Sequence, residues 1–167
     1  MNIILREWSK GDIEPLVILA NNKKISDNLR DHFPYPYNLK DAGEWIAINQ
    51  TKTLITNFAI EVNKELAGGC GILLKEDIYR FNAEIGYWIG EKFWNKGLAT
   101  HVVHLLIQEI KLTHPQIVRI YAEIFEHNQA SMKVLEKNGF HLESVRQKAV
   151  VKNNIIMNDQ VWVLILK

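Results

Sequence analysis

The stretch Phe93 to Val103, FWNKGLATHVV, opens the most helix-like segment of the chain, and its entrance at Gly97, with Lys96 before it and Ala99 after it, could hold an anion. The first amides of a helix have no partners within it, and the helix dipole places roughly half a positive charge there. A glycine at the turn lets a ligand approach the backbone, a small alanine at 99 avoids crowding it, and Lys96 adds a cation. Such an entrance can seat a pyrophosphate. Neither the Walker pattern GxxxxGKS/T nor the dinucleotide pattern GxGxxG is present. A single glycine therefore leaves a plain strand-to-helix connection open as the alternative.

Two further groups could carry chemistry. In EHNQASMKVLEKNGF, Asn128, Ser131 and Leu135 fall at i, i+3 and i+7, so Ser131 is expected to face inward, where a hydroxyl needs a partner. The same residues also read as a helix N-cap and its satisfied first-turn neighbour. In FNAEIGYWIG, alternation puts Ala83, Ile85, Tyr87 and Ile89 on one strand face and Glu84, Gly86 and Trp88 on the other. A carboxylate beside Trp88 on a central strand is a candidate general base; a strand-edge Glu that reaches water is the other reading. His101, His104, Gln108 and Lys111 form a polar helix stripe. No cysteine or carboxylate completes a ligand set beside these histidines, so no metal is expected.

Several elements must position these groups. A strand is expected over Ile3 to Trp8, followed by a helix that starts at Ser9, is capped through Asp12 and buries Ile13, Leu16, Val17 and Ala20. HFPYPYN is irregular because of its two prolines, and it either shapes an acceptor cleft or packs over the sheet. A second helix spans Leu39 to Lys52, with Trp45, Ile46 and Ile48 buried. Strands follow at Ile55 to Val62, Leu66 to Leu74 and Phe81 to Ile89, with a hairpin turn at Asn63 to Glu65. The helix from Gly97 to Leu112 buries Ala99, Val102, Val103, Leu106 and Ile110. Then come a strand over Ile117 to Phe125, a helix over Asn128 to Asn138 with Gly139 as its left-handed cap, and strands over Phe140 to Val151 and Ile155 to Leu166. Hairpins flanked by helices indicate an α+β fold with a mixed, mostly antiparallel sheet covered by helices.

The 167 residues fit a single domain, 1–167, and 47% apolar with 23% charged residues is an ordinary globular composition. A net charge of +1 gives no electrostatic footprint for nucleic acid. No segment reads as a membrane span or signal peptide. The single cysteine, Cys70, precludes an internal disulfide and fits a reducing compartment, so a cytoplasmic protein is expected. A homodimer is left open.

The segments AEIGYWIGEKFWNKGLAT, RIYAEIFEHNQASMKVLEKNGF and LRDHFPYPYNLKDAGEWI resemble the GNAT N-acetyltransferase superfamily, in order and over nearly the whole chain. The branch most similar contains the ribosomal-protein N-terminal (alanine/serine) acetyltransferases. The superfamily signature is Gln or Arg, two residues, Gly, one residue, then Gly or Ala. Gly97 and Ala99 match it, while Trp94 stands in the Gln/Arg position.

The resemblance implies an α/β/α layered sheet of about seven strands, with helices on both faces and a splayed central strand pair. It implies acetyl-CoA as acetyl donor, with backbone amides of Asn95 to Thr100 around the pyrophosphate and the backbone of Trp88, Ile89 and Gly90 along the pantetheine. Asn128 would hold the pantetheine arm or help orient the cofactor, Ser131 would be the general acid for the departing thiolate, and Glu84 the general base, acting through water. The acceptor would be a protein or peptide N-terminus. The alternatives are a small amine, for which Asp27, Asp31 and Glu44 are possible cation-binding groups, or a non-catalytic CoA-binding module.

Overall fold

The protein, in the form of a computed structural model, is described over residues 2–51 and 53–166. It divides into two compact units, Met1–Gly71 with Tyr87–Leu98, and Ile72–Gly86 with Ala99–Lys167.

The first unit opens with β1 (Ile3–Arg6), shorter than expected because Trp8 leaves the strand and is buried at 5% exposure. Ser9 caps a 3-10 turn, Lys10–Asp12, that leads into α1 (Ile13–Ala20). The Ser9 backbone N–H and hydroxyl donate to the Asp12 carboxylate at 2.8 and 2.9 Å. Asp12 is more than a cap. It is 4% exposed and receives two guanidinium bonds from Arg6, at 2.7 and 2.8 Å, while Arg6 also donates to Glu61 at 2.6 Å. The buried stripe of α1 is Leu16, Leu19 and Ala20; Ile13 and Val17 are only half-buried.

After the short α2 (Lys23–Ser26) comes α3 (Leu39–Gln50), capped reciprocally by Asn38 and Asp41. Its expected last residue, Lys52, lies outside the described residues. Ala42 and Ile46 form its buried contacts, whereas Ile48 is 56% exposed, contrary to expectation, because it lies two residues beyond Ile46 and so points away from the buried side. β2 (Asn57–Val62) starts after Ile55, and the turn to β3 (Glu65–Leu74) puts Asn63 and Lys64 at φ 50° and 71°, the pair of left-handed residues that a tight hairpin requires.

A 3-10 turn (Asp77–Tyr79) leads from β3 to β4 (Asn82–Ile89). Then come α4 (Leu98–Thr113), β5 (Arg119–Phe125), α5 (Gln129–Lys137), β6 (His141–Lys152) and β7 (Ile155–Ile165). In the second unit, Val102, Val103, Leu106 and Ile110 of α4, Ile120 and Ala122 of β5, Leu135 of α5 and Val163 of β7 are each at most 1% exposed. His101, His104, Gln108 and Lys111 lie on the solvent side of α4.

The seven strands lie in the order β1-β2-β3-β4-β5-β7-β6. The pairs β1–β2, β2–β3, β5–β7 and β6–β7 are antiparallel, and β4–β5 is parallel, with α4 as the crossover. The parallel ladder has three rungs, Asn82↔Arg119, Ala83↔Ile120 and Glu84↔Tyr121. Pairing stops at Glu84 although β4 continues to Ile89 and β5 to Phe125, which is the splayed pair that the family resemblance implied.

Candidate active site

In the first unit, the segment after β4 is built to present backbone. The Gly90 N–H donates to the Ala67 carbonyl at 2.8 Å, holding the strand end, and a 3-10 turn (Glu91–Phe93) buries Phe93. The Trp94 indole N–H then donates to the Ile89 carbonyl at 2.7 Å. Thus Trp94, which departs from the Gln/Arg of the signature, pins the turn to the strand. Asn95 and Gly97 adopt φ 60° and 73°, a left-handed geometry costly for most side chains, and α4 begins at Leu98. A Cβ added at Gly97 would meet nothing within 4 Å, so this face of the turn is open space. Such an opening beside the first helical amides fits a phosphate group. The Lys96 ammonium bonds the Lys92 carbonyl at 2.8 Å and lies 5.8 Å from the Phe93 ring, so it is a tethered cation of the turn.

Trp88 is half-buried on the strand leading into this turn. The Phe33 ring meets it edge-on at 5.6 Å, and Phe33 in turn contacts Tyr37 at 5.1 Å. HFPYPYN therefore packs against β4 through Phe33, and Tyr37 is 5% exposed. Burial, then the nearby Asp41 charge, pushes the Tyr37 phenol up to about 12. A Cβ at Gly68 would lie 2.2 Å from the Trp88 carbonyl oxygen, so close approach of β3 to β4 depends on glycine there. Of the acidic residues considered for a cationic acceptor, Asp27 is paired with Lys23 at 2.5 Å and Glu44 with Lys40 at 3.8 Å. Cys70 is buried, and burial pushes its thiol well above the ordinary range, which suits a structural residue rather than a nucleophile.

In the second unit, Glu84 occupies the last rung of the β4–β5 ladder, its side chain 11% exposed. The alternation is as expected, with Ala83 and Ile85 buried and Gly86 exposed. Lys75 places its ammonium 2.8 Å from Glu84 Oε2, and the Tyr121 hydroxyl donates to the same oxygen at 3.4 Å. Burial pulls the Lys75 ammonium down, but hydrogen bonding to Glu84 and Tyr121, together with their charges, outweighs it and the net direction is up. Lys75 and Tyr121 line a cavity of about 450 Å³ with Glu76, Tyr79, Asn82, Arg119, Glu123 and Arg146. Its cations are held by carboxylates: Arg119 bonds Glu143 at 2.5 Å, and Arg146 bridges Glu123 at 3.0 Å and the buried Asp159 at 2.9 Å.

Asn128 caps α5, its side-chain oxygen accepting from the Ser131 N–H at 3.1 Å. Ser131 is half-buried, which corrects its expected inward orientation. The buried residues of α5 are Met132 and Leu135, one turn apart, and Ser131 lies at the edge of that stripe. At the other end of α5, Asn138 Nδ2 donates to the carbonyls of Val134 (2.9 Å) and Thr100 (3.1 Å), tying α5 to the first turn of α4. Gly139 follows at φ 83°, the left-handed cap that the sequence required.

Sequence reasoning passed over Lys75, Tyr121 and Asn138. The alternation of Arg119, Tyr121 and Glu123 in RIYAEIF marks one polar strand face and could have flagged Tyr121. Nothing local in the sequence joins Lys75 to Glu84. Among the described residues there is no cluster of three His, Cys, Asp or Glu side chains able to hold a metal, and no helix long and apolar enough to cross a membrane.

The Acetyltransferase (GNAT) domain family matches residues 2–141. A probable N-acetyltransferase of Bacillus subtilis (strain 168), YjcK, is 36% identical over 87 residues, which is 50% of this chain and 45% of that protein. The chain spans about half the length of the curated relatives it matches. RimL, a ribosomal alpha-N-protein acetyltransferase solved in complex with coenzyme A, superposes with a TM-score of 0.87 at 23% identity, covering 99% of this chain and 95% of that one. MccE, a microcin self-immunity acetyltransferase solved with acetyl-CoA and AMP, gives 0.82 at 25% identity, covering 98% and 92%. The family match runs through every element from β1 to α5, including the strand, turn and helix entrance described above, and the chain belongs to the GNAT acetyltransferase family.

Proposed function

We propose that the protein moves the acetyl group of acetyl-CoA directly to the N-terminal α-amine of a protein or peptide. The observation that carries this reading is the turn ahead of α4, where Gly97 at φ 73° leaves open space beside the first helical amides. Amides of Asn95 to Thr100 surround the pyrophosphate. The backbone of Trp88 and Ile89 runs along the pantetheine; the Gly90 N–H already serves Ala67, so Gly90 contributes its shape rather than that donor. Asn128 orients the pantetheine arm, Ser131 protonates the departing thiolate, and Glu84 accepts the amine proton. MccE, solved with acetyl-CoA, supports the donor assignment. The buried Cys70 supports direct transfer without an acyl-enzyme.

Proton chemistry supports this acceptor. An α-amine with pKa about 7.8 is neutral in roughly a tenth of molecules near pH 7, whereas a lysine amine at about 10.4 is neutral in well under a thousandth. A carboxylate already paired with an ammonium, as Glu84 is with Lys75, suits the less demanding substrate. A small polar amine is the second reading, favoured by the charged lining of the 450 Å³ cavity. The reading treats residues 1–167 as one cytoplasmic domain that works as a monomer or homodimer. Acetyl-CoA consumption against a panel of peptide N-termini and small amines tests it. Turnover with peptides supports the first reading, turnover with small amines alone supports the second, and CoA binding without any turnover contradicts both.

A further inference from the structure

Glu84 does not itself line the 450 Å³ cavity, but two groups bonded to its carboxylate do, Lys75 and Tyr121. Their placement follows from the strand ladder. Lys75 comes directly after β3, and its backbone N–H donates to the Asn82 carbonyl at 3.1 Å, which sets its side chain beside β4. Tyr121 is the register partner of Glu84 in the last parallel rung, so both side chains leave the same sheet face. The Lys75 ammonium also lies 5.5 Å from the centre of the Tyr121 ring, a cation–π distance. Ammonium, carboxylate and phenol thus form one cluster from three neighbouring strand segments, with the carboxylate at its inner end.

We propose that Lys75 is a positioning residue of the transfer reaction, holding the Glu84 carboxylate on the Tyr121 hydroxyl so that an amine in the cavity loses its proton through Tyr121. This rests on the reading of Glu84 as the proton acceptor. In the step, an N–H bond of the incoming ammonium breaks and its electron pair stays on nitrogen. The proton joins the Tyr121 oxygen as the phenol's own proton passes to Glu84 Oε2. The products are a neutral amine, an unchanged tyrosine and a protonated Glu84.

Pairing with Lys75 is what makes such an arrangement durable. A carboxylate that is only 11% exposed is costly to bury as an anion, and the Lys75 ammonium at 2.8 Å supplies counter-charge on the same oxygen that the Tyr121 hydroxyl reaches. The Tyr121 hydroxyl at 3.4 Å is at the long end for a hydrogen bond, as catalytic contacts often are before substrate is bound. The alternative role for Lys75 is a purely structural ion pair. Such a pair would affect folding without changing the turnover of the folded enzyme.

The two roles separate in steady-state kinetics with acetyl-CoA and a short peptide bearing a free N-terminal serine. Lys75→Met is expected to lower kcat about tenfold while leaving both KM values within about twofold. Lys75→Arg is expected to recover most of that loss, because guanidinium can make the same carboxylate bond. Tyr121→Phe is expected to fall as far as Lys75→Met. Thermal melts of each variant correct the rates for folded fraction. The inference is overturned if folded Lys75→Met keeps wild-type kcat, if its defect lies in KM alone, or if Lys75→Arg is as slow as Lys75→Met. Glu84→Gln serves as the control. If Glu84→Gln keeps full turnover, the assignment of Glu84 is wrong and this inference falls with it. If Glu84→Gln is slow while Lys75→Met is not, only the role of Lys75 is lost. A wild-type enzyme inactive on the peptide overturns the α-amine reading and the inference together.

Discussion

The Trp94 indole N–H donates to the Ile89 carbonyl at 2.7 Å, closing the segment between the end of β4 and the start of α4. The bond reaches back across five residues and spans the 3-10 turn Glu91–Phe93, directly ahead of Asn95, Lys96 and Gly97. Trp94→Phe keeps an aromatic ring and removes the donor. Coenzyme A affinity, measured by calorimetry, is expected to weaken about fivefold, the scale of one neutral hydrogen bond. Unchanged affinity would show that Trp94 is a surface ring with no part in the cradle.

Gly97 combines a left-handed backbone with open space where a side chain would project. Gly97→Val puts a branched side chain both at φ 73° and into that space. Calorimetry is expected to detect no coenzyme A binding, while the circular dichroism spectrum stays that of the wild type. Retained binding would move the pyrophosphate elsewhere.

Asp12 lies below the ordinary carboxylate range. Burial alone would raise it, but hydrogen bonds from Arg6, then from Ser9, together with the Arg6 charge, outweigh burial. A carboxylate held lower in the folded than in the unfolded state adds stability above the unfolded value and loses it as pH falls through the folded one. Asp12→Asn is therefore expected to lose on the order of 3 kcal/mol at neutral pH by urea unfolding, as for one partner removed from a buried pair. The gap between wild type and variant should narrow below about pH 4, where the unfolded carboxylate becomes protonated. A gap that stays constant with pH would mean that Asp12 acts through packing alone.

Of the glycines, Gly68 leaves the least room for a side chain, since an added Cβ would sit 2.2 Å from the Trp88 carbonyl oxygen. The neighbour is backbone and cannot swing away. Gly68→Ala is expected to cost about 2 kcal/mol in urea unfolding, within the range for overpacked sites. A neutral result would show that β3 and β4 can separate at little cost.

Local chemistry makes much of this structure legible in the sequence. The hairpin turn at Asn63 to Glu65 and the left-handed cap at Gly139 were both legible, and the alternation around Glu84 announced which strand face it shares. Periodicity failed where an element's buried face is narrow. Ile48 is apolar and helical yet faces solvent, and Ser131 lies beside the buried stripe of α5 rather than in it. Long-range pairing was the least legible. The Lys75–Glu84 bond joins residues across the β3–β4 connection, and Asn138 reaches Thr100 from another helix, so neither leaves a periodic trace in the sequence. Trp94 was visible as an exception to a pattern, but its role needed the position of the Ile89 carbonyl.

Acetyl transfer to an α-amine, with Glu84 as proton acceptor, is tested by locating the acetyl group on a peptide that offers both a free N-terminus and an internal lysine, using fragment-ion mass spectrometry after incubation with acetyl-CoA. Wild-type protein is expected to acetylate the α-amine and leave the lysine unmodified, and Glu84→Gln to slow that reaction while binding coenzyme A as before. Acetyl groups found only on the lysine, or no modification at all, would rule out α-amine transfer, and equal rates for wild type and Glu84→Gln would rule out Glu84 as the proton acceptor.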